Sequence, residues 1–194
     1  APCRLTLVLE RGTTDLDKLL AAAQARLTKG EDRWVLPDGA YCSTGAKPGA
    51  LALIFPGQGT QYVGMLRDLA CQFPEFLDAL DEADQVFTEG TGDRALRISD
   101  KIFPHPYFDR ETEKAQKEAL HPTQVAQPAI GVVSAGALKV LRSFGVEAGL
   151  AGGHSYGEIV ALYAAGMIDE ATLYSLTKRR GELMSQRDDG KGGM

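Results

Sequence analysis

Histidine and cysteine are scarce in this 194-residue sequence, which contains three of each. The cysteines (Cys3, Cys42 and Cys71) are odd in number, scattered, and without the close spacing of metal ligands. This usage predicts free thiols in a reducing compartment and argues against a disulfide framework. It also predicts that the protein binds no metal.

Long apolar runs and a basic excess are missing as well. No uninterrupted apolar stretch approaches the ~20 residues that span a bilayer, and no basic leader with an apolar segment opens the sequence. A net charge of −5 does not suit a surface that must neutralise phosphates, so no nucleic-acid partner is expected. We therefore expect a cytoplasmic protein that contacts neither membrane nor nucleic acid.

The first quarter of the chain has a different character from the rest. Residues 4–10 alternate as a strand, and residues 16–27 repeat apolar positions at helical spacing. Residues 37–50 are rich in Gly, Pro, Ser and Ala, which predicts a linker. The sequence thus predicts a small strand–helix unit over residues 1–48 and a main domain over residues 49–194.

From residue 50 onward the pattern alternates between strands and helices. The predicted strands cover 51–55 and 147–152, and residues 100–110 are predicted to form an irregular loop. The predicted helices cover 62–69, 73–87, 124–144, 156–165 and 170–184. This alternation predicts an α/β fold with a hydrolase-like parallel sheet flanked by helices.

A serine between two glycines is the sharpest chemical signal. Gly153, Ser155 and Gly157 form a G-x-S-x-G pentapeptide between a predicted strand and a predicted helix. A serine hydroxyl is a weak nucleophile that needs exposure, a base and donors for the oxyanion. A tight strand-to-helix turn supplies the exposure and the free N–H groups. A chance pentapeptide is the alternative, and the flanking elements disfavour it.

A base for this serine is harder to find. His154 is its direct neighbour and cannot turn back onto it, and no histidine follows Ser155. His105 and His121 stand beside prolines and are predicted to be surface loop residues. Either the protein uses no histidine base, or the base lies outside these 194 residues. We favour the second alternative.

A second motif runs from Phe55 to Gln61 at the end of the first strand of the main domain. Gly57 and Gly59 flank Gln58, so that the Gln58 backbone N–H can approach a ligand closely. A phosphate-binding loop is the alternative, but no Lys-Ser/Thr pair follows at the required spacing.

With these motifs the sequence resembles the malonyl-CoA:acyl-carrier-protein transacylase family, the acyltransferase domains of fatty acid and polyketide synthases. Gln127-Pro128-Ala129 matches a third motif of that family, and Arg180 lies 25 residues after Ser155. Tyr156, with residues 99–104 and 125–128, makes it most similar to the acyltransferases of polyunsaturated fatty acid synthases and iterative enediyne polyketide synthases.

The resemblance implies a role for each matching residue. Ser155 would be the nucleophile that forms an acyl ester, and the backbone N–H groups of Gln58 and Tyr156 would form the oxyanion hole. Arg180 would bind the free carboxylate of a malonyl group. The remaining substrate-binding residues would be His154 and Gln127.

The resemblance also implies substrates and partners. Malonyl-CoA would be the acyl donor, an acyl carrier protein the acceptor, and no cofactor would be bound. Residues 1–48 resemble the linker between a ketosynthase and an acyltransferase, which implies a neighbouring ketosynthase domain. Residues 49–194 resemble the N-terminal half of the acyltransferase. The family's base histidine lies in the region of its ferredoxin-like subdomain, within a C-terminal half that would complete the site.

Two other functions remain open on the sequence. A serine thioesterase or other hydrolase would share the serine turn, but it would not account for the Phe55–Gln61 motif or for Arg180. A non-catalytic scaffold piece of a synthase would leave Ser155 unused.

Overall fold

The computed structural model describes residues 3–45, 49–89 and 97–185. The chain divides into two compact units, Ala1–Gly49 and Ala50–Met194. Each unit is described by itself.

The first unit is a three-stranded antiparallel sheet with one helix. Its elements are β1 (Cys3–Leu7), α1 (Leu16–Thr28), β2 (Arg33–Leu36) and β3 (Ala40–Thr44), and the strand order is β1-β3-β2. Helix α1 begins at the predicted place because the Asp15 carboxylate accepts the Lys18 N–H at 3.0 Å. The core of this first unit consists of Leu19, Ala23, Trp34, Ala40 and Cys42.

The predicted linker at residues 37–50 is wrong for its first half. Residues 40–44 form β3, the middle strand of the sheet, and Gly39 ends the turn before it with a φ of +96°. A Cβ on Gly39 would lie 2.9 Å from the Val8 carbonyl oxygen. The glycine and proline content of this segment therefore marks a hairpin turn rather than a linker.

The second unit confirms the predicted α/β class. Strand β4 (Ala52–Phe55) pairs in parallel with β5 (Leu150–Gly153), so that Phe55 lies opposite Gly153. The helices are α2 (Arg67–Gln72), α3 (Pro74–Thr88), α4 (Ile98–Ile102), α5 (Arg110–Ala119), α6 (Thr123–Ser143), α7 (Gly157–Ala164) and α8 (Glu170–Ser185).

Helix α6 is the centre of this unit. It packs against both α3 and α8, and small residues along it allow the neighbours to come close. A Cβ on Gly136 would lie 2.9 Å from the Phe76 ring, for example. The helix is long and apolar enough to cross a membrane by length and composition, but 67% of that apolar window is buried inside the fold. Such burial is typical of the core helix of a soluble protein.

Several local predictions in this unit differ from the structure. The strand expected at 147–152 begins only at Leu150. The helix expected at 62–69 begins only at Arg67. Helix α4 occupies part of the loop predicted at residues 100–110, because the buried Asp84 carboxylate accepts the Ser99 N–H at 3.0 Å. Helix α5 was not predicted, because none of its residues is buried and its sequence carries no apolar periodicity.

Candidate active site

Ser155 lies on a sharp turn between β5 and α7. It has a φ of +54°, a left-handed conformation that residues with a Cβ rarely adopt. Strand β5 ends at Gly153 and α7 begins at Gly157, so the chain reverses within three residues. This conformation directs the Ser155 side chain out of the turn, where it is exposed.

The two flanking glycines make this turn possible. A Cβ on Gly153 would overlap the carbonyl group of Gly157, and a Cβ on Gly157 would overlap the carbonyl oxygen of Phe55. Strand, turn and helix therefore meet at distances that only glycine permits. The G-x-S-x-G spacing thus has a direct steric cause.

The loop after β4 lies directly against the serine turn. His154 donates its backbone N–H to the Phe55 carbonyl at 3.1 Å. A Cβ on Gly57 would lie 2.7 Å from the His154 carbonyl oxygen and 3.5 Å from the Ser155 Cβ. The second motif and the nucleophile motif are thus in contact, which brings the Gln58 backbone next to the serine.

Gln58 and Tyr156 provide backbone donors near Ser155. In the part of the chain that the structure describes, neither the Gln58 N–H nor the Tyr156 N–H donates to another residue. Free N–H groups beside a nucleophile are the donors that stabilise an oxyanion. They are the pair that the family resemblance implies.

No described residue forms a hydrogen bond with the Ser155 hydroxyl. The exposed His154 ring lies against Gly57, where an added Cβ would be 3.1 Å from its Nδ1, and it donates no hydrogen bond to the serine hydroxyl. The backbone carbonyl of His105 accepts a hydrogen bond from Gln116 at 2.8 Å, and His121 lies near Tyr62 at a separate surface depression. Among residues 3–45, 49–89 and 97–185, the serine therefore has no bonded base.

A chain of side-chain hydrogen bonds joins the other predicted site residues. Arg180 donates from Nη1 to Gln127 Oε1 at 2.5 Å. Gln127 donates from Nε2 to Gln58 Oε1 at 3.2 Å, and Gln58 donates from Nε2 to Thr123 at 3.3 Å. Arginine can only donate, so it fixes the orientation of the Gln127 amide and hence the direction of the whole chain.

The Gln127 amide is buried, with 1% of the residue exposed, while Arg180 is partly exposed. Its guanidinium forms no ion pair with any described carboxylate. Gln127 thus holds one edge of the guanidinium, and no carboxylate among the described residues pairs with its positive charge. A carboxylate ligand could bind such a group through two parallel hydrogen bonds.

The side chain of Tyr156 makes a contact that the sequence did not predict. It is completely buried, and its hydroxyl lies 2.9 Å from Thr177 Oγ1 on α8. Burial raises the pKa of this phenol above its ordinary value. Gly131 of α6 lies against the same hydroxyl and has no room for a Cβ. The only signal for Thr177 in the sequence is its position three residues before Arg180.

The acyl transferase domain family matches residues 52–194, and the chain belongs to this family. The resemblance inferred from the motifs is thereby confirmed.

Two relatives illustrate the range of the match. One subunit of the polyunsaturated fatty acid synthase of Thraustochytrium is 33% identical over 93% of this chain and 7% of that protein. The polyketide biosynthesis malonyl CoA-acyl carrier protein transacylase BaeC of Bacillus velezensis is 37% identical over 73% of this chain and 42% of that protein. A polyunsaturated fatty acid synthase is thus among the relatives, as the motifs predicted.

Solved structures give the same result. The acyltransferase domain from the second module of the salinomycin polyketide synthase matches with a TM-score of 0.69 and 29% identity, over 94% of this chain and 38% of that chain. A type II polyketide acyl-carrier protein complex with its malonyl-transacylase matches with a TM-score of 0.58 and 33% identity, over 71% and 40%. The chain spans less than half the length of these relatives.

Proposed function

We propose that this chain carries the nucleophile of an acyltransferase that moves a malonyl unit from coenzyme A to the phosphopantetheine thiol of an acyl carrier protein. One observation carries the proposal. An exposed serine on a strained turn lies beside two N–H groups that have no acceptor among the described residues. Through Gln127, the Gln58 side chain is linked by hydrogen bonds to Arg180, a partly exposed arginine that has no acidic partner among the described residues.

The first half of the reaction would acylate Ser155. Its Oγ attacks the thioester carbonyl carbon of malonyl-CoA while a base takes its proton. The negative charge that develops on the carbonyl oxygen is stabilised by the N–H groups of Gln58 and Tyr156, each worth roughly 3–4 kcal/mol by analogy with measured oxyanion donors. The carbon–sulfur bond then breaks, and coenzyme A leaves as a thiol with the proton from the base.

The second half would return the serine to its free state. The thiol of the carrier protein gives its proton to the base, and its sulfur attacks the seryl ester. The carbon–oxygen bond breaks, and Ser155 recovers its proton. The same oxyanion donors serve in both half-reactions, because each half-reaction passes through a tetrahedral intermediate.

Arg180 would select the acyl group. Its free guanidinium edge suits the carboxylate of a malonyl group and offers nothing comparable to an acetyl group. Gln127 would hold Arg180 in place, and the exposed His154 would line the pocket at the mouth of the serine turn.

The base would be a histidine outside these 194 residues. Among the described residues neither His105 nor His121 forms a hydrogen bond with Ser155, and the chain spans 42% or less of the relatives described above. The acyl-CoA thioester is a substrate, and no bound cofactor is required by the steps above. Such a protein would work in the cytoplasm.

Residues 1–48 would be the linker to a neighbouring ketosynthase domain. The pattern of coverage supports this proposal. The two synthase matches described above cover 93% and 94% of this chain, whereas the malonyl-transacylase matches cover 73% and 71%. Matches of this extent must reach into residues 1–48.

The acceptor distinguishes this proposal from its alternatives. The complete acyltransferase domain that contains this chain is incubated with malonyl-CoA, with and without holo acyl carrier protein, and the products are quantified by mass spectrometry. Malonyl-carrier protein should be the main product when carrier is present. Rapid release of free malonate regardless of carrier would favour a hydrolase, and neither product would favour a scaffold.

A further inference from the structure

The side chain of Tyr156 links the serine turn to the helix that carries Arg180. The ring passes from the turn into the core, is completely buried, and reaches Thr177 on α8 at 2.9 Å. Thr177 lies three residues before Arg180 on the same helix, which is close to one helical turn.

The direction of this hydrogen bond follows from its neighbours. Thr177 has one hydroxyl proton, and it donates that proton to the Leu173 carbonyl at 2.7 Å. The Tyr156 hydroxyl must therefore be the donor to Thr177 Oγ1. This hydrogen bond requires a tyrosine at residue 156. A phenylalanine there would fill the same space but would leave Thr177 Oγ1 without its donor.

The surroundings leave the ring little freedom. Gly131 of α6 contacts the hydroxyl so closely that a Cβ at that position would overlap it. Elsewhere along the same pair of helices, a Cβ on Gly181 of α8 would lie 2.9 Å from the Gln124 Cα. Helices α6 and α8 are thus packed tightly around the bridge between Tyr156 and Thr177.

We propose that the Tyr156 side chain is a positioning group that sets the spacing between the serine turn and Arg180, and thereby the selectivity for malonyl over acetyl groups. This inference rests on the proposed function. The backbone of Tyr156 would supply an oxyanion donor, while its side chain would fix the distance from that donor to the carboxylate-binding guanidinium. A malonyl group must reach both ends at once, whereas an acetyl group uses only the serine end.

The test removes the hydroxyl of either partner in this hydrogen bond. Tyr156→Phe and Thr177→Val are made in the complete acyltransferase domain, and kcat/KM is measured for malonyl-CoA and acetyl-CoA. Each variant should lower the malonyl-to-acetyl ratio about three- to tenfold, the range expected for one buried hydrogen bond. The double variant should lose no more than either single variant, because both remove the same contact.

Tyr174→Phe is the matched control. Tyr174 is buried on α8, the helix that carries Thr177 and Arg180, and its hydroxyl donates to Glu170 at 2.7 Å. The control thus removes a buried tyrosine hydroxyl that bonds within α8 and forms no hydrogen bond with the serine turn. This variant should lower the melting temperature without changing the malonyl-to-acetyl ratio. If Tyr156→Phe does not fold, Thr177→Val reports on the same hydrogen bond.

Each outcome bears on one of the two proposals. An unchanged ratio in a folded Tyr156→Phe or Thr177→Val variant overturns the positioning role and leaves the proposed function intact. An equal fall in the Tyr174→Phe ratio overturns it too, since any disturbance of α8 would then suffice. A wild-type domain that accepts neither thioester contradicts the proposed function itself, and the positioning role falls with it.

Discussion

At the scale of single residues, most of the candidate chemistry depends on groups that the fold leaves without partners. The N–H groups of Gln58 and Tyr156 have no acceptor among the described residues, and the guanidinium of Arg180 has no described carboxylate. Tyr156 is completely buried and Arg180 is half-buried, and polar groups in such positions are normally satisfied. Their lack of described partners beside a strained serine supports the proposal of a ligand site.

Arg180 gives the first prediction at this scale. Arg180→Ala in the complete domain should lower kcat/KM for malonyl-CoA roughly 10- to 100-fold, because it removes charged hydrogen bonds to the substrate carboxylate. Activity with acetyl-CoA should change little. Arg179→Ala is the control, since Arg179 is exposed on the same helix and pairs only with Glu182 at 3.2 Å among the described carboxylates. Equal losses in both variants would remove Arg180 from the site.

Gly131 gives the second prediction at the scale of single residues. An alanine in a helix is usually favoured over glycine by about 1 kcal/mol, yet Gly131→Ala should destabilise the domain by roughly 1–2 kcal/mol. The added methyl group would collide with the Tyr156 hydroxyl. Urea unfolding should show a smaller penalty when Gly131→Ala is combined with Tyr156→Phe. Equal penalties in the two backgrounds would mean that the clash is relieved elsewhere.

The sequence yields predictions for site residues that belong to motifs and none for residues that act through packing. Ser155 can be named from a local pattern, whereas Arg180 is named only through the family resemblance. Thr177 and Gly131 could not be named, because their role depends on which ring enters the space between α6 and α8. That space is defined by three segments far apart in the chain.

At the scale of elements, a charged cluster joins three helices. Lys139 of α6 binds Glu170 of α8 at 2.7 Å, and Glu170 also accepts hydrogen bonds from Tyr174 at 2.7 Å and from Tyr163 of α7 at 3.4 Å. Burial and the nearby Glu170 charge raise the pKa of Tyr163 to about 12.

This cluster predicts a loss of stability in alkali. An unfolded tyrosine releases its proton near pH 10, whereas folded Tyr163 holds its proton until about pH 12. The folded state therefore binds more protons between pH 10 and 12, and the stabilisation present below pH 10 is lost as the pH rises through that window. The loss from Tyr163 should be on the order of 2 kcal/mol.

Urea unfolding of the complete domain at several pH values from 9 to 12 measures this slope. Tyr163→Phe should reduce the slope by the equivalent of about one proton, because the titrating group is gone. An identical slope in the variant would show that other groups govern alkaline unfolding. Activity is not needed for this measurement.

Long apolar elements were predictable and short polar ones were not. The buried helix at residues 124–144 corresponds to α6 within one residue at each end, because its apolar character extends over the whole length. Helix α4 depends instead on the Asp84 carboxylate 15 residues earlier. The Asp84–Ser99 hydrogen bond is a tertiary contact, and no local sequence pattern predicts it.

At the scale of the whole molecule, the parallel sheet has one bare face. Ile54 and Leu150 lie on the same side of the two strands and are 74% and 62% exposed. Parallel sheets are normally covered on both faces. The chain also spans less than half the length of the relatives described above.

We therefore predict that this face is covered in the complete domain. Ile54→Lys should change the stability of the 194-residue chain by no more than about 0.5 kcal/mol, since the side chain is largely exposed there. In the complete domain the same substitution should cost several kcal/mol, because an unpaired charge would be buried. Equal effects in the two proteins would show that the face stays open.

The measurement closest to the central claim is the mass of the complete domain after brief incubation with malonyl-CoA. The wild-type domain should gain one malonyl group, located on the peptide that contains Ser155, and should lose it when holo acyl carrier protein is added. Ser155→Ala should fold and gain nothing. A malonyl group that still attaches to the Ser155→Ala domain, or that attaches to another residue of the wild type, would contradict the assignment of Ser155 as the nucleophile.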